Sequence, residues 1–272
     1  NGVHICNCRF DTGDDCISLK SGRDRDGRMA NIPCENVLIE NNEFADGHGG
    51  IALGSEMSGG IRRVLAVNNR FSSPNLTYAL RLKTNARRGG RVEDIILADS
   101  VMDHVHGAAV HGTMLYEDGR NGSDLPVFHN ITIENIIAHG GDYGIFLEAF
   151  DEVPVTGLTL RNIRIDGVVR PMRSMNWKEP VVDDVIINGK SFPRPGGVRI
   201  LGVPVNGETV KAEARACGGD MDFMYSWQTA TDGAAWKQAG QGERFPVPGT
   251  ADLIRVTVTD HKGNTETSHE YR

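Results

Sequence analysis

"NVLIENNEF", Asn36–Phe44, sets apolar Val37 and Ile39 two residues apart, follows them with Asn41 and closes on Phe44. The same figure recurs as "GVHICNCRF", Gly2–Phe10, and "RVLAVNNRF", Arg63–Phe71. Looser copies follow: "DIILADSVM", Asp94–Met102; "NITIENIIA", Asn130–Ala138; "GLTLRNIRI", Gly157–Ile165; and a partial "DVIING", Asp184–Gly189. Anchored on Val3, Val37, Val64, Ile95, Ile131 and Leu158, the full copies are spaced by 34, 27, 31, 36 and 27 residues. The strand pattern persists while the spacing varies, so the strands are constant and the loops are not. One position in each full copy is Asn or Asp: Asn7, Asn41, Asn68, Asp99, Asn135 and Asn162. Stacked side-chain amides at a recurring turn suit a parallel β-helix. There no coil can bury its own apolar face, and stacking supplies the core. Successive coils then lie about 4.8 Å apart. A leucine-rich repeat is the rival, but its L-x-x-L-x-L spacing is absent.

Composition agrees with an all-β chain. Its 272 residues include 33 glycines and carry a formal net charge of -7. No block of basic residues stands out, which argues against nucleic acid as a partner. No apolar run reaches the length of a membrane span. Five cysteines, Cys6, Cys8, Cys16, Cys34 and Cys217, include no CxxC pair, so no zinc site is expected. They read as buried thiols, with Cys6 and Cys8 on one face of a strand. The chain does not begin with Met and shows no signal peptide, which reads as a processed or truncated product.

Superposing the coils gathers the polar residues. A shift of 34 lays "FDTGDDCISLKSG", Phe10–Gly22, over "FADGHGGIALGSE", Phe44–Glu56, without a gap. Asp14 falls on His48, Ile17 on Ile51 and Leu19 on Leu53, and the third coil adds Leu80 and Leu82 to the apolar columns. Alternation then turns Ser18 and Lys20, Ala52 and Gly54, and Arg81 and Lys83 outward on one face. Asp14, Asp15 and His48 sit at the turn beside it. Adjacent aspartates after a glycine are ordinary turn residues when they stand alone. With a histidine and two cations on the same face they read as a reaction centre, since paired carboxylates serve general acid and base work on glycosides. Arg81 and Lys83 have no acidic partner in the aligned columns, so they are expected to be an uncompensated cationic pair awaiting an anionic sugar. Phe146 and Glu148 map to the outward columns of a later coil and suit a subsite. His104, His106 and His111 read as polar turn residues, because nothing completes a tetrahedral metal site around them.

At these residues the chain resembles glycoside hydrolase family 28, the polygalacturonases and their relatives. That family carries Asn-Thr-Asp, Gly-Asp-Asp, Gly-His-Gly and Arg-x-Lys in order. Here stand Gly13-Asp14-Asp15, Gly47-His48-Gly49 and Arg81-Leu82-Lys83. "GHGGIALGSEMSGG" and "RLKTNARRGG" look most like its bacterial exo-acting members, and the likeness covers about residues 1–192. The resemblance implies a right-handed parallel β-helix, secreted or periplasmic, that hydrolyses α-1,4-galacturonosidic linkages of pectin with inversion and without a cofactor. It makes Asp14 the general acid, and Asp15 together with the aspartate of Asn-Thr-Asp the activators of water. His48 then assists the acid, and Arg81, Lys83 and the outward Lys20 bind substrate. No Asn-Thr-Asp occurs in the sequence. It is expected one strand before Asn1, which favours a fragment. Rhamnogalacturonan or xylogalacturonan hydrolysis are the alternatives on the same scaffold, as is a non-catalytic pectin-binding helix should that aspartate be lost. A lyase is disfavoured, because lyases of this shape hold calcium in acidic clusters.

The repeat stops near residue 195. "PRPGG", Pro193–Gly197, reads as a linker, and residues 196–272 as a small Ig-like sandwich of short alternating strands around Trp227. Tyr225 and Trp236 there suit core packing better than a sugar platform.

Overall fold

A computed structural model of the chain lays Val3, Val37, Val64, Ile95, Ile131 and Leu158 side by side in one parallel sheet, in the register the repeat predicts. It describes residues 1–205, 207–218, 221–231, 234–249 and 251–271, in two units, Asn1–Phe192 and Pro193–Arg272. In the first unit the long sheet is built on the strands Val3–Cys6, Cys34–Glu40, Ile61–Val67, Arg91–Asp103, Val127–His139, Val155–Asp166 and Val181–Ile187. A second parallel sheet runs through Ile17–Leu19, Gly49–Gly54, Tyr78–Lys83, Ala108–Thr113, Tyr143–Glu148 and Arg170–Met175. The chain alternates between the two sheets, so each strand reaches its sheet neighbour by one full coil. Twisted parallel strands take such crossovers in the right-handed sense.

Each coil turns at its asparagine. Asn7, Asn41, Asn68, Asp99, Asn135 and Asn162 all have φ between 47° and 56°, the left-handed region that Asn and Asp enter more cheaply than other side chains. Their side chains then bond from coil to coil: Asn135 Nδ2 donates to Asp99 Oδ1 at 2.8 Å, and Asn162 Nδ2 to Asn135 Oδ1 at 2.8 Å. Asp184 falls opposite Asn162 and extends this column. A second left-handed column, Asn36, Arg63, Asp94, Asn130, Gly157 and Glu179, lies near the start of the same strands. It escapes the sequence pattern because its residue types vary. Between the sheets Phe10, Phe44 and Phe71 stack at 5.1 and 4.5 Å, and Ile39, Ile51, Leu53 and Leu82 are fully buried. Among the described residues a single short helix, Asp24–Ala30, interrupts the all-β pattern and ends on Asn31 in the left-handed conformation.

Two expectations are corrected here. The five cysteines are free thiols as expected, but none is fully buried: Cys6, Cys16, Cys34 and Cys217 are half-buried and Cys8 is exposed. The left-handed Asn7 between Cys6 and Cys8 breaks the alternation that would place both on one face. "PRPGG" is also no linker. Arg194–Leu201 is a strand paired antiparallel with Thr209–Cys217, its Pro-Gly kink absorbed as a bulge between Pro195 and Gly197.

Among its described residues the second unit holds two antiparallel sheets. One has three strands, Arg194–Leu201, Thr209–Cys217 and Arg244–Pro246. The other has four, Met224–Ala230, Lys237–Gln241, Leu253–Thr259 and Thr265–Thr267. Trp227 is fully buried in the core, stacks on Phe245 at 5.0 Å and donates Nε1–H to the Gly242 carbonyl at 2.7 Å. Tyr225 packs against this core, as expected. Trp236 is half-buried with the Arg255 guanidinium 4.2 Å over its ring, so the two rings do not form one bare platform. Among the described residues no helix is long and apolar enough to cross a membrane.

Candidate active site

The turn before Ile17–Leu19 and the turn before Gly49–Gly54 lie one above the other. The His48 backbone N–H donates to the Asp14 carbonyl at 3.0 Å, which locks the coils in the 34-residue register. The side chains then meet: Nδ1 of His48 is 2.9 Å from Oδ1 of Asp14. Both are exposed, the Asp14 side chain at 84%. The Asp15 backbone N–H, then the His48 hydrogen bond, hold the Asp14 carboxyl below its ordinary range.

Asp15 has the opposite surroundings. Its side chain is only 6% exposed. Oδ2 accepts a hydrogen bond from Lys83 Nζ at 2.6 Å, and Oδ1 lies 3.6 Å from an Arg81 guanidinium nitrogen. Oδ1 is buried and accepts no hydrogen bond. Such an orphaned acceptor is costly unless something else occupies the site. Here it can receive a water or a sugar hydroxyl.

The glycines around His48 make this possible. A Cβ at Gly47 would stand 2.8 Å from the Asp14 carbonyl oxygen, and its φ of +146° suits glycine. A Cβ at Gly49 would stand 2.8 Å from Asp15 Oδ1 and 3.5 Å from Arg81 Cδ. Gly-His-Gly is therefore the shape of the pocket into which the carboxylate and the arginine fold.

Register confirms that Ser18, Ala52 and Arg81 share a column, with Gly54 beside Lys83. The cationic pair is nevertheless not uncompensated. Both cations lean back over the small residues onto Asp15, which belongs to an earlier column and so is invisible to column-by-column alignment. Three charges, two positive and one negative, leave one net positive charge. Lys20 is likewise engaged, its Nζ 2.6 Å from Glu56.

Sequence reasoning missed two tyrosines. Arg81 lies 4.8 Å over the Tyr78 ring and 5.4 Å over the Tyr116 ring, and Lys83 lies 5.3 Å over Tyr116. Tyr116 follows the Ala108–Thr113 strand in a loop outside the repeat, so no periodicity points to it. Burial raises the pKa of its hydroxyl.

His111 is a further correction. His104 and His106 are exposed turn residues as expected, but His111 lies inside Ala108–Thr113 and is 6% exposed. It pairs with Arg81 in register and stacks on Tyr78 at 4.2 Å. Burial first, then the Arg81 charge, lowers its pKa to about 4. The unfolded chain takes up a proton near pH 6.5 that the folded chain refuses until about pH 4. Stability is thus complete above pH 6.5 and falls as pH drops through this window, by about 3 kcal/mol in all. His111→Phe should lose that much less between pH 7 and pH 4 than the parent in urea unfolding. Equal losses would refute the buried neutral imidazole.

Paired carboxylates of unlike environment under a cationic and aromatic wall, on a parallel β-helix, define a protein of the carbohydrate-active class. The chain matches glycosyl hydrolases family 28 over residues 1–181. It belongs to that family. It is 33% identical over 140 residues to an exo-poly-alpha-D-galacturonosidase of Dickeya chrysanthemi, covering 49% of this chain and 23% of the relative. It is 30% identical over 173 residues to a probable polygalacturonase of Vitis vinifera, covering 60% and 34%. Among solved structures it is similar to the hyperthermoactive exopolygalacturonase of Thermotoga maritima, with a TM-score of 0.63, 36% identity, and coverage of 70% of this chain and 42% of that one. The chain thus spans about a quarter to a third of the curated relatives it matches.

Proposed function

We propose that the protein hydrolyses α-1,4-galacturonosidic linkages of pectic polygalacturonan, from a chain end and with inversion. The observation that carries this reading is the contrast between Asp14 and Asp15: one carboxyl exposed and backed by His48, the other buried against Lys83 and Arg81 with an oxygen left free. Two carboxyl groups in unlike surroundings can take acid and base roles at one pH. Asp15 Oδ1 holds and deprotonates the water. Asp14 protonates the leaving oxygen. In the free protein its surroundings favour the ionised form. A bound anionic sugar strips water from Asp14 and adds a like charge, and both raise its pKa toward that of a proton donor. His48 orients the Asp14 carboxyl. The net positive charge at Arg81 and Lys83 takes the uronate carboxylate, with Lys20 at the rim where Glu56 shares it. A polymer of this size is met outside the cytoplasm, so the protein is secreted or periplasmic. Residues 193–272, with two small antiparallel sheets around a buried tryptophan, act as an Ig-like accessory module.

Digestion of polygalacturonan followed by proton NMR tests the reading. The first product formed should carry the inverted anomer, and fully methyl-esterified pectin should turn over roughly tenfold or more slowly, having lost one charge-assisted contact. A retained anomer overturns the mechanism. Binding without turnover would make the protein a pectin-binding helix instead.

A further inference from the structure

Two short strands, Arg9–Asp11 and Glu43–Asp46, lead into the turns that carry Asp14 and His48. They pair in parallel, but the register slips after Phe10, so that Asp11 pairs with Asp46 instead of Ala45. Bulges of this kind re-aim the residues that follow them. The residue that follows here is Thr12. Its backbone N–H donates to the Asp46 carbonyl at 3.3 Å, and its hydroxyl donates to the Asp14 carbonyl at 2.7 Å. The same hydroxyl lies 3.4 Å from the Cys16 sulfur, whose S–H donates to the Asp46 carbonyl at 3.0 Å. Burial raises the Cys16 pKa, which keeps that sulfur a protonated donor at neutral pH. The Asp46 side chain is held from the other side, Oδ1 by the Gly47 N–H at 2.8 Å and Oδ2 by Asn75 Nδ2 at 3.2 Å. Gly47 lies against the whole group: a Cβ there would stand 2.7 Å from Cys16 Sγ and 3.0 Å from Thr12 Oγ1.

We propose that Thr12 is a positioning residue, whose hydroxyl fixes the Asp14–Asp15 peptide and thereby aims the Asp14 carboxyl for proton donation. The inference rests on the cleavage centre proposed above. The Asp14 carbonyl is held twice, by the Thr12 hydroxyl and by the His48 backbone N–H at 3.0 Å. A peptide is planar and trans, with its C=O and N–H on opposite edges. Pinning the carbonyl therefore fixes the direction of the Asp15 N–H, and that N–H is the foremost of the groups that hold the Asp14 carboxyl low. With 84% of the Asp14 side chain exposed, hydrogen bonds rather than packing set its direction, from the Asp15 N–H and from His48. The same peptide leads into Asp15, whose carboxyl is tied to Lys83, so the spacing between the two carboxyl groups depends on it as well. A threonine that merely closed its turn could bond any free carbonyl. This one bonds the carbonyl of the proton donor itself.

Thr12→Val keeps the shape and removes the hydroxyl, whereas Thr12→Ser keeps the hydroxyl. Two measurements on the full chain test the role: kinetics on polygalacturonan, and a carbon-13 NMR titration of the Asp14 carboxyl, assigned by its loss in Asp14→Asn. In Thr12→Val, kcat should fall roughly 10–100-fold with KM within about threefold, since misplacing a group by about an ångström costs up to that much. The Asp14 pKa should rise toward the ordinary carboxylate range as the Asp15 N–H loses its aim. His48 and Lys83 also lower it and are untouched by the change, so the rise should be partial. Thr12→Ser should restore both the rate and the titration. The melting temperature should fall by no more than about 4 °C, as for one lost hydrogen bond in a chain of this size. Thr12→Ala should repeat the Val result and guards against crowding by the added methyl. An Asp14 titration unchanged in both Val and Ala variants overturns the positioning role, and so does a kcat in them equal to that of an active parent. Turnover retained by Asp14→Asn, or absent from the parent, overturns the cleavage centre alone, and the carboxyl titration then decides whether Thr12 sets Asp14.

Discussion

Asp15→Asn should abolish measurable turnover and also weaken the fold, both from one change. The Asp15 carboxylate is the counter-ion of Lys83 and the neighbour of Arg81, in a place where its side chain is 6% and that of Lys83 9% exposed. Removing one member of a buried charge pair leaves the other uncompensated and typically costs about 3–5 kcal/mol. The amide keeps the shape but cannot neutralise Lys83 or accept a proton from water. Unfolding by urea should therefore show a loss of that size, and hydrolysis of polygalacturonan should fall by at least roughly 10³-fold, the loss of base catalysis compounded by a displaced Lys83. A variant as stable as the parent would show that the ion pair seen here contributes nothing. A variant with retained turnover would remove Asp15 from the chemistry.

Asp14→Asn separates the two effects. The Asp14 side chain is 84% exposed, and its contact with His48 is a surface pair. Exposed pairs of this kind contribute about 0–1 kcal/mol, so the melting temperature should hardly move. Loss of acid catalysis should still lower kcat by roughly 10²–10⁴-fold, with KM changed far less. The two neighbouring aspartates thus predict opposite signatures: loss of rate with loss of fold at Asp15, loss of rate alone at Asp14. A KM effect at Asp14 as large as the kcat effect would make it a binding group rather than the proton donor.

Much of the scaffold was legible because a solenoid writes its tertiary contacts into its sequence. Val37 contacts Val3 and Val64 for the same reason that all three recur, and the asparagine at each turn is marked by the backbone conformation it must adopt. Asp14, His48, Arg81 and Lys83 could be brought to one face by counting, since each lies at a fixed offset from an apolar column. Boundaries were less legible. Pro193–Gly197 looks like a break because proline and glycine usually are one, yet an edge position beside a bulge tolerates both.

What the sequence by itself determined, then, is the coil register, the left-handed asparagine ladder, the placing of the aspartates beside the histidine and the cations, and the family those motifs share. Only the tertiary structure decided how these charges divide. Alternation tells which way a side chain leaves its strand, not how far it bends once outside. Arg81 and Lys83 bend back across Gly49 and Ala52 to reach Asp15, so the pair is compensated and one aspartate becomes buried while its neighbour stays in water. Tyr116 arrives from a loop with no period, and His111 is sealed by rings from the coils on either side. The contacts of Asp15 with the cations and of Tyr116 with Arg81 join residues that no repeat relates, and burial, as at His111, depends on the volume of neighbours that only the folded chain assembles.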